Sequence, residues 1–139
     1  MEKTNISFNK IEILDWYDGI IRAIGEVEDE FYLIVLVAWD MKQPVKLYVV
    51  LELNELTKSE IIDELNGSRS KEENWEIFNS IFNRYVQNYN GVAYVILGEV
   101  KKNESYRIKT IDSSHIKKLA NYEFEDTMSE NNKNFWLKI

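Results

Sequence analysis

A change of period near residue 55 constrains the fold of this chain more than any other feature. Val45, Leu47, Val49, Leu51 and Leu53 fall on one side of an extended chain. Lys46, Tyr48, Val50 and Glu52 fall on the other, as a half-buried strand requires. Beyond Thr57 the apolar residues recur at three and four, the spacing of a helix face.

Upstream of the switch the segments read as strands. Ile11–Tyr17 and Ile20–Val27 flank Asp18-Gly19, a hairpin turn signal because glycine tolerates positive φ and aspartate can bond the local backbone. Phe31–Trp39 is apolar at every position, which predicts a central strand covered on both faces. With Val45–Leu53 these make an antiparallel meander of four strands.

Downstream, Thr57-Lys58-Ser59-Glu60 fits a capping box opening a short helix with Ile61, Ile62 and Leu65. Ser70-Lys71-Glu72-Glu73 fits a second, opening a helix whose stripe is Trp75, Phe78, Phe82, Tyr85 and Tyr89. Val92–Leu97 and Ser105–Ile111 read as a later hairpin, and Ser113 or Ser114 caps a short helix with Ile116 and Leu119. Strands come in runs and do not alternate with helices. The expected fold is therefore α+β, a predominantly antiparallel sheet carrying two or three helices. Residues 1–139 are expected to form one domain. Residues 123–139 are expected as an extended tail, polar from Glu123 to Asn134 and ending in Phe135, Trp136, Leu137 and Ile139.

The chemistry open to this chain is narrow. It has no cysteine and one histidine, so thiol nucleophiles, disulfides and zinc cages are excluded. Ser113-Ser114-His115 cannot form a catalytic triad by itself, and no nucleophile elbow is present. With only 5 glycines there is little material for phosphate-cradling loops. No cofactor is expected, and no metal site. The alternative weighed against that is a Mg²⁺-dependent phosphoryl-transfer site built from the strand-end carboxylates Asp15, Asp18, Asp40 and Glu52.

The net charge is −7, and residues 1–56 hold 11 acidic side chains against 5 basic ones. Such a field repels nucleic acid and attracts basic proteins. Asp15, Trp16, Asp18, Glu26, Glu28, Asp29, Glu30, Glu123, Glu125 and Asp126 are the candidate partner-binding residues. They pair acid with aromatic surface, the combination that speeds encounter and anchors a complex. The expected function is a non-enzymatic acidic binding protein that neutralises or regulates a basic protein partner, of toxin-immunity or phage counter-defence type. Abundant Asn, Lys, Ile and Glu with a single proline agree with a bacterial or phage source. A structural role is the further alternative, with a homodimer formed through the apolar C-terminal residues. The N-terminal residues lack the apolar run of a signal peptide, and no stretch is long enough to span a membrane. The cytoplasm is the expected location.

The segment Asp15-Trp16-Tyr17-Asp18-Gly19 and the strands after it also carry a resemblance. Over about the first fifty residues the chain resembles a loose group of small uncharacterised bacterial proteins. Those open with a Tyr-Asp-Gly-Pro-type turn followed by a meander. Ile20 stands where that pattern has proline. The resemblance implies the strand arrangement and no activity.

Overall fold

The computed structural model describes residues 4–40, 45–65, 71–120, 127 and 130–138. Seven strands form one sheet: β1 (Asn5–Ser7), β2 (Lys10–Trp16), β3 (Ile20–Val27), β4 (Glu30–Asp40), β5 (Val45–Leu53), β6 (Ala93–Leu97) and β7 (Ser105–Ile111). Four α-helices are described: α1 (Glu55–Leu65), α2 (Lys71–Gln87), α3 (Ser113–Ile116) and α4 (Glu130–Lys138). The strand order is β1-β7-β6-β5-β4-β3-β2, antiparallel throughout.

The α+β class and the antiparallel sheet agree with the sequence reading, but the described inventory is larger: seven strands where six were expected, and four α-helices where two or three were expected. β2 to β5 are the expected meander. The later hairpin does not stand apart from it, because β6 pairs with β5 and extends the same sheet. β1 was not expected; three residues carry too little period to be read as a strand, and pairing with β7 alone makes them one.

The two edge strands, β1 and β2, are consecutive in the chain. Phe8 and Asn9 carry the backbone from one edge to the other. The Asn103 N–H donates to the Phe8 carbonyl at 2.9 Å, and the Asn9 N–H donates to the Glu26 carbonyl at 2.8 Å. The sheet therefore curls until its edges meet at Phe8. Gly25 permits that closure: a Cβ there would run into the Phe8 ring. β-bulges in β2 and at Val37 of β4 add local twist.

Curling divides the core in two. Ile6, Phe8, Tyr32, Ile34, Leu36, Tyr48, Val50 and Ile96 fill the inside of the curl. Leu33, Val35, Leu47, Val49 and Leu51 face outward and are covered by Ile61 of α1, by Phe78, Ile81, Phe82 and Val86 of α2, and by Trp136 of α4. The expected alternation in β5 is the alternation between these two cores. β4 is buried from Tyr32 to Trp39, as a central strand should be.

The α2 stripe lies on the sheet as its spacing predicts, with Phe78 and Phe82 stacked at 5.9 Å. The Trp75 side chain lies outside the described residues. Arg22 of β3 is buried against this stripe. Its Nη1 donates to Asn79 Oδ1 at 2.7 Å, and its guanidinium lies 4.8 Å from the Phe78 ring. Two helix caps differ from those expected, and the expected cap of α2, Ser70, lies outside the described residues. Asn54, not Thr57, opens α1, its Oδ1 accepting from the Thr57 N–H at 2.7 Å. Asp112, not a serine, caps α3 through Oδ1 and the Ser114 N–H at 2.8 Å. His115 is half-buried, edge-on to Phe135.

The C-terminal segment also departs from expectation. Residues 130–138 are a helix packed on β4, not an extended tail. The bulge at Val37 supplies the docking point: the Asn132 side-chain amide donates to the Val37 carbonyl, and Lys133 pairs with Asp40 at 2.9 Å. Trp136 is 1% exposed. The apolar residues assigned to a dimer contact are thus partly spent inside their own chain. Among the described residues no helix is long and apolar enough to cross a membrane.

Candidate functional site

The turn between β3 and β4 gathers acid at one end of the sheet. Glu28 and Asp29 form the turn, with Val27 opposite Glu30. Glu28 has a φ of 56°, a left-handed conformation that glycine or asparagine adopts at lower cost. Asn9 supports it, its Oδ1 accepting the Glu28 N–H at 3.1 Å. Glu30 accepts the Tyr32 hydroxyl at 2.7 Å.

Glu52, at the end of β5, sits opposite Tyr32 in the ladder. Tyr85 of α2 and Tyr89, just beyond the end of that helix, fix its backbone. The Glu52 N–H donates to the Tyr89 hydroxyl at 2.8 Å, and the Tyr85 hydroxyl donates to the Glu52 carbonyl. The end of the aromatic stripe therefore positions an acidic residue as well as filling core. With Asp29, Glu30 and Glu55, Glu52 lines a hollow of about 280 Å³ whose other walls are Phe31, Tyr32 and Leu53. Among the described residues no lysine or arginine lines it, although Lys58 Nζ lies 3.9 Å from the ring centroid of Phe31. Burial raises the pKa of Tyr32, Tyr89 and Tyr94, and the negative charge of Glu52 raises each further; Glu30 does the same for Tyr32 and Tyr94.

The other end of the strands carries the Asp15–Gly19 segment. Trp16 and Tyr17 are 61% and 59% exposed and do not enter the core. Asp18 and Gly19 form the expected turn, at φ 50° and 128°. Lys46, 4% exposed, holds it. Its Nζ donates to the Asp18 carbonyl and to Glu99 Oε1 at 3.0 Å, and lies 4.9 Å from the Trp39 ring. A Cβ at Gly19 would occupy the place of that ammonium. Lys46 keeps the Glu99 carboxyl below its ordinary pKa by hydrogen bond and charge. The Asp15 carboxylate accepts from the Trp16 N–H at 3.0 Å.

The expected partner-binding residues thus form two groups. Asp15, Trp16 and Asp18 lie at one end of β3; Glu26, Glu28, Asp29 and Glu30 lie at the other. The eight residues of β3 separate them by about 25 Å. Glu123, Glu125 and Asp126 lie outside the described residues. The carboxylates weighed for Mg²⁺ do not meet either. Glu52 is at the acidic end, Asp15 and Asp18 are at the opposite end, and Asp40 is paired with Lys133. Among the described residues no group of three potential ligands could hold a metal ion.

Two members of the acidic hollow, Glu52 and Glu55, are absent from the expected binding set. Their strand-end and helix-start positions are readable locally, but their approach to the β3–β4 turn is a tertiary fact. Comparison with protein-family models, curated proteins and solved structures finds no match.

Proposed function

We propose that this is a non-enzymatic acidic binding protein that neutralises or regulates a basic protein partner, of toxin-immunity or phage counter-defence type. The observation that carries the reading is the hollow with Asp29, Glu30, Glu52 and Glu55 on its walls and no lysine or arginine among its described lining residues. A lysine or arginine side chain of a partner suits it. Charge-assisted hydrogen bonds to the carboxylates orient the head group. A left-handed glutamate in the adjoining turn supports the same reading, since strain at a surface turn is retained where the side chain serves a purpose.

The test is affinity capture from the native host with the wild-type chain and with Glu30→Lys/Glu52→Lys. The expected result is a basic protein retained by the wild type, released by salt and lost from the variant. A partner that survives both salt and charge reversal would overturn the assignment of this end as the binding surface.

A further inference from the structure

A second surface, independent of the acidic end, lies along β2. Among the described residues this strand pairs with β3 on one side only, and it terminates the sheet. β1 and β2 are one continuous piece of chain bent at Phe8. The β6–β7 loop touches that chain at Phe8, through the Asn103 N–H at 2.9 Å. Beyond Phe8 a hollow of about 310 Å³ separates the free edge of β2 from this loop. Ile11, Ile13 and Trp16 form its β2 wall. Ile20, Tyr48 and Val100, members of the inner core, form its floor. The inner core thus runs out onto an uncovered lip, where Ile13 is 48% exposed.

The opposite wall carries two cations and one anion: Lys101 and Lys102, both exposed, line the hollow together with Glu99. The carboxylates of the same loop have internal partners: Glu99 binds Lys46, and Glu104 accepts the Tyr106 hydroxyl at 3.0 Å. Tyr106 also stiffens the loop, its oxygen accepting the Lys101 N–H at 2.6 Å and its one hydroxyl proton shared between the Glu99 carbonyl at 2.7 Å and the Glu104 carboxylate. The wall is therefore built before anything binds.

We propose that the free edge of β2 takes an extended apolar segment of a partner protein that carries carboxylates. The segment pairs with β2 as an added strand, seats apolar side chains over Ile13 and Trp16, and sets its carboxylates against Lys101 and Lys102. Backbone pairing supplies affinity in this mode and the flanking pockets supply specificity. Charge selects the occupant. A basic segment of the kind suited to the acidic end meets two lysines here, and pairing with a second copy of this chain is one of the outcomes of the test.

The probes are short blocked peptides in which glutamate alternates with valine, isoleucine or leucine, and their lysine counterparts. Binding is followed by the amide resonances of the full chain. The expected result is saturable binding of at least one glutamate peptide, with shifts confined to Lys10–Trp16 and the Glu99–Lys102 loop and slowed hydrogen exchange in β2. Ile13→Lys, and separately Lys101→Glu with Lys102→Glu, should each weaken it about tenfold or more. All three loop and edge positions are solvent-accessible, and a thermal midpoint matching the wild type certifies each variant; the lysine pair suffices if Ile13→Lys melts early. Three outcomes overturn the proposal: no glutamate peptide saturates, the lysine peptides bind equally well, or β2 is already protected in a dimer of the free protein.

Discussion

Glu28 and Gly25 show how single positions set the shape of this molecule. Glu28 adopts a φ of 56°. A left-handed conformation costs an L-residue about 1–2 kcal/mol, part of which glycine returns through the entropy of the unfolded chain. Glu28→Gly should therefore raise unfolding stability by up to about 1 kcal/mol while weakening capture of a basic partner. Urea unfolding checks the first effect, and a lowered midpoint would show that the turn is not under tension. Gly25 acts in the opposite sense. Its missing Cβ leaves room for Phe8, so Gly25→Ala should destabilise by about 1–3 kcal/mol and loosen the contact between the two sheet edges. Slower amide exchange at Asn9 and Asn103 in that variant would contradict this placement.

At the scale of elements, α2 and the turn that follows it perform two tasks. Phe82 is buried between sheet and helix, and Phe82→Ala should cost about 3–5 kcal/mol. An unchanged thermal midpoint would refute the packing. Tyr85 and Tyr89 are different, because their hydroxyls hold the Glu52 backbone. Replacing both by phenylalanine keeps the apolar stripe and removes the clamp, so binding at the acidic end should fall more than stability does. α4 is held through the β4 bulge. Asn132→Leu leaves the Val37 carbonyl without the amide and should cost about 1–3 kcal/mol, read as early exchange of α4 amides before global unfolding.

At the scale of the whole molecule, charge and buried tyrosines set the response to salt and pH. Association through the acidic end should slow as salt rises, since exposed charges are screened beyond about 8 Å at physiological ionic strength. Reversing Glu28 and Glu30 to lysine should lower the on-rate more than it raises the off-rate. Rapid mixing at several salt concentrations checks both. The tyrosine effect follows from linkage. Burial raises the pKa of Tyr32, Tyr48, Tyr85, Tyr89 and Tyr94 above 10.0, and pushes Tyr106 up to about 12. Above pH 10 the unfolded chain gives up these protons while the folded chain keeps them. The contribution to stability is complete below that pH and is lost as pH climbs towards 12 and beyond. Stability should fall steeply above pH 10 together with the appearance of tyrosinate absorbance. Tyr106→Phe should flatten the part of the fall that ends near pH 12.

What the sequence determined by itself is whatever short-range period and turn chemistry can encode. The two faces of β5 follow from alternation, the α2 stripe from its three- and four-residue spacing, and the β2–β3 turn from Asp18-Gly19. The acidic bias of the N-terminal half is equally a matter of counting. Tertiary structure decided everything that depends on a distant partner. β1 is a strand because β7 lies beside it, and the curl exists because Phe8 fits over Gly25. Residues 130–138 become a buried-face helix because a bulge at Val37 presents a carbonyl to Asn132. Lys46 looks like a solvent-side residue of an alternating strand, yet it is buried under the Asp18 turn. The division of the candidate site follows the same rule. Residues 15–18 and 26–30 are neighbours in sequence, but a strand between them carries its two ends apart. Glu52 and Glu55 join residues 28–30 only because antiparallel pairing returns the chain to the same end.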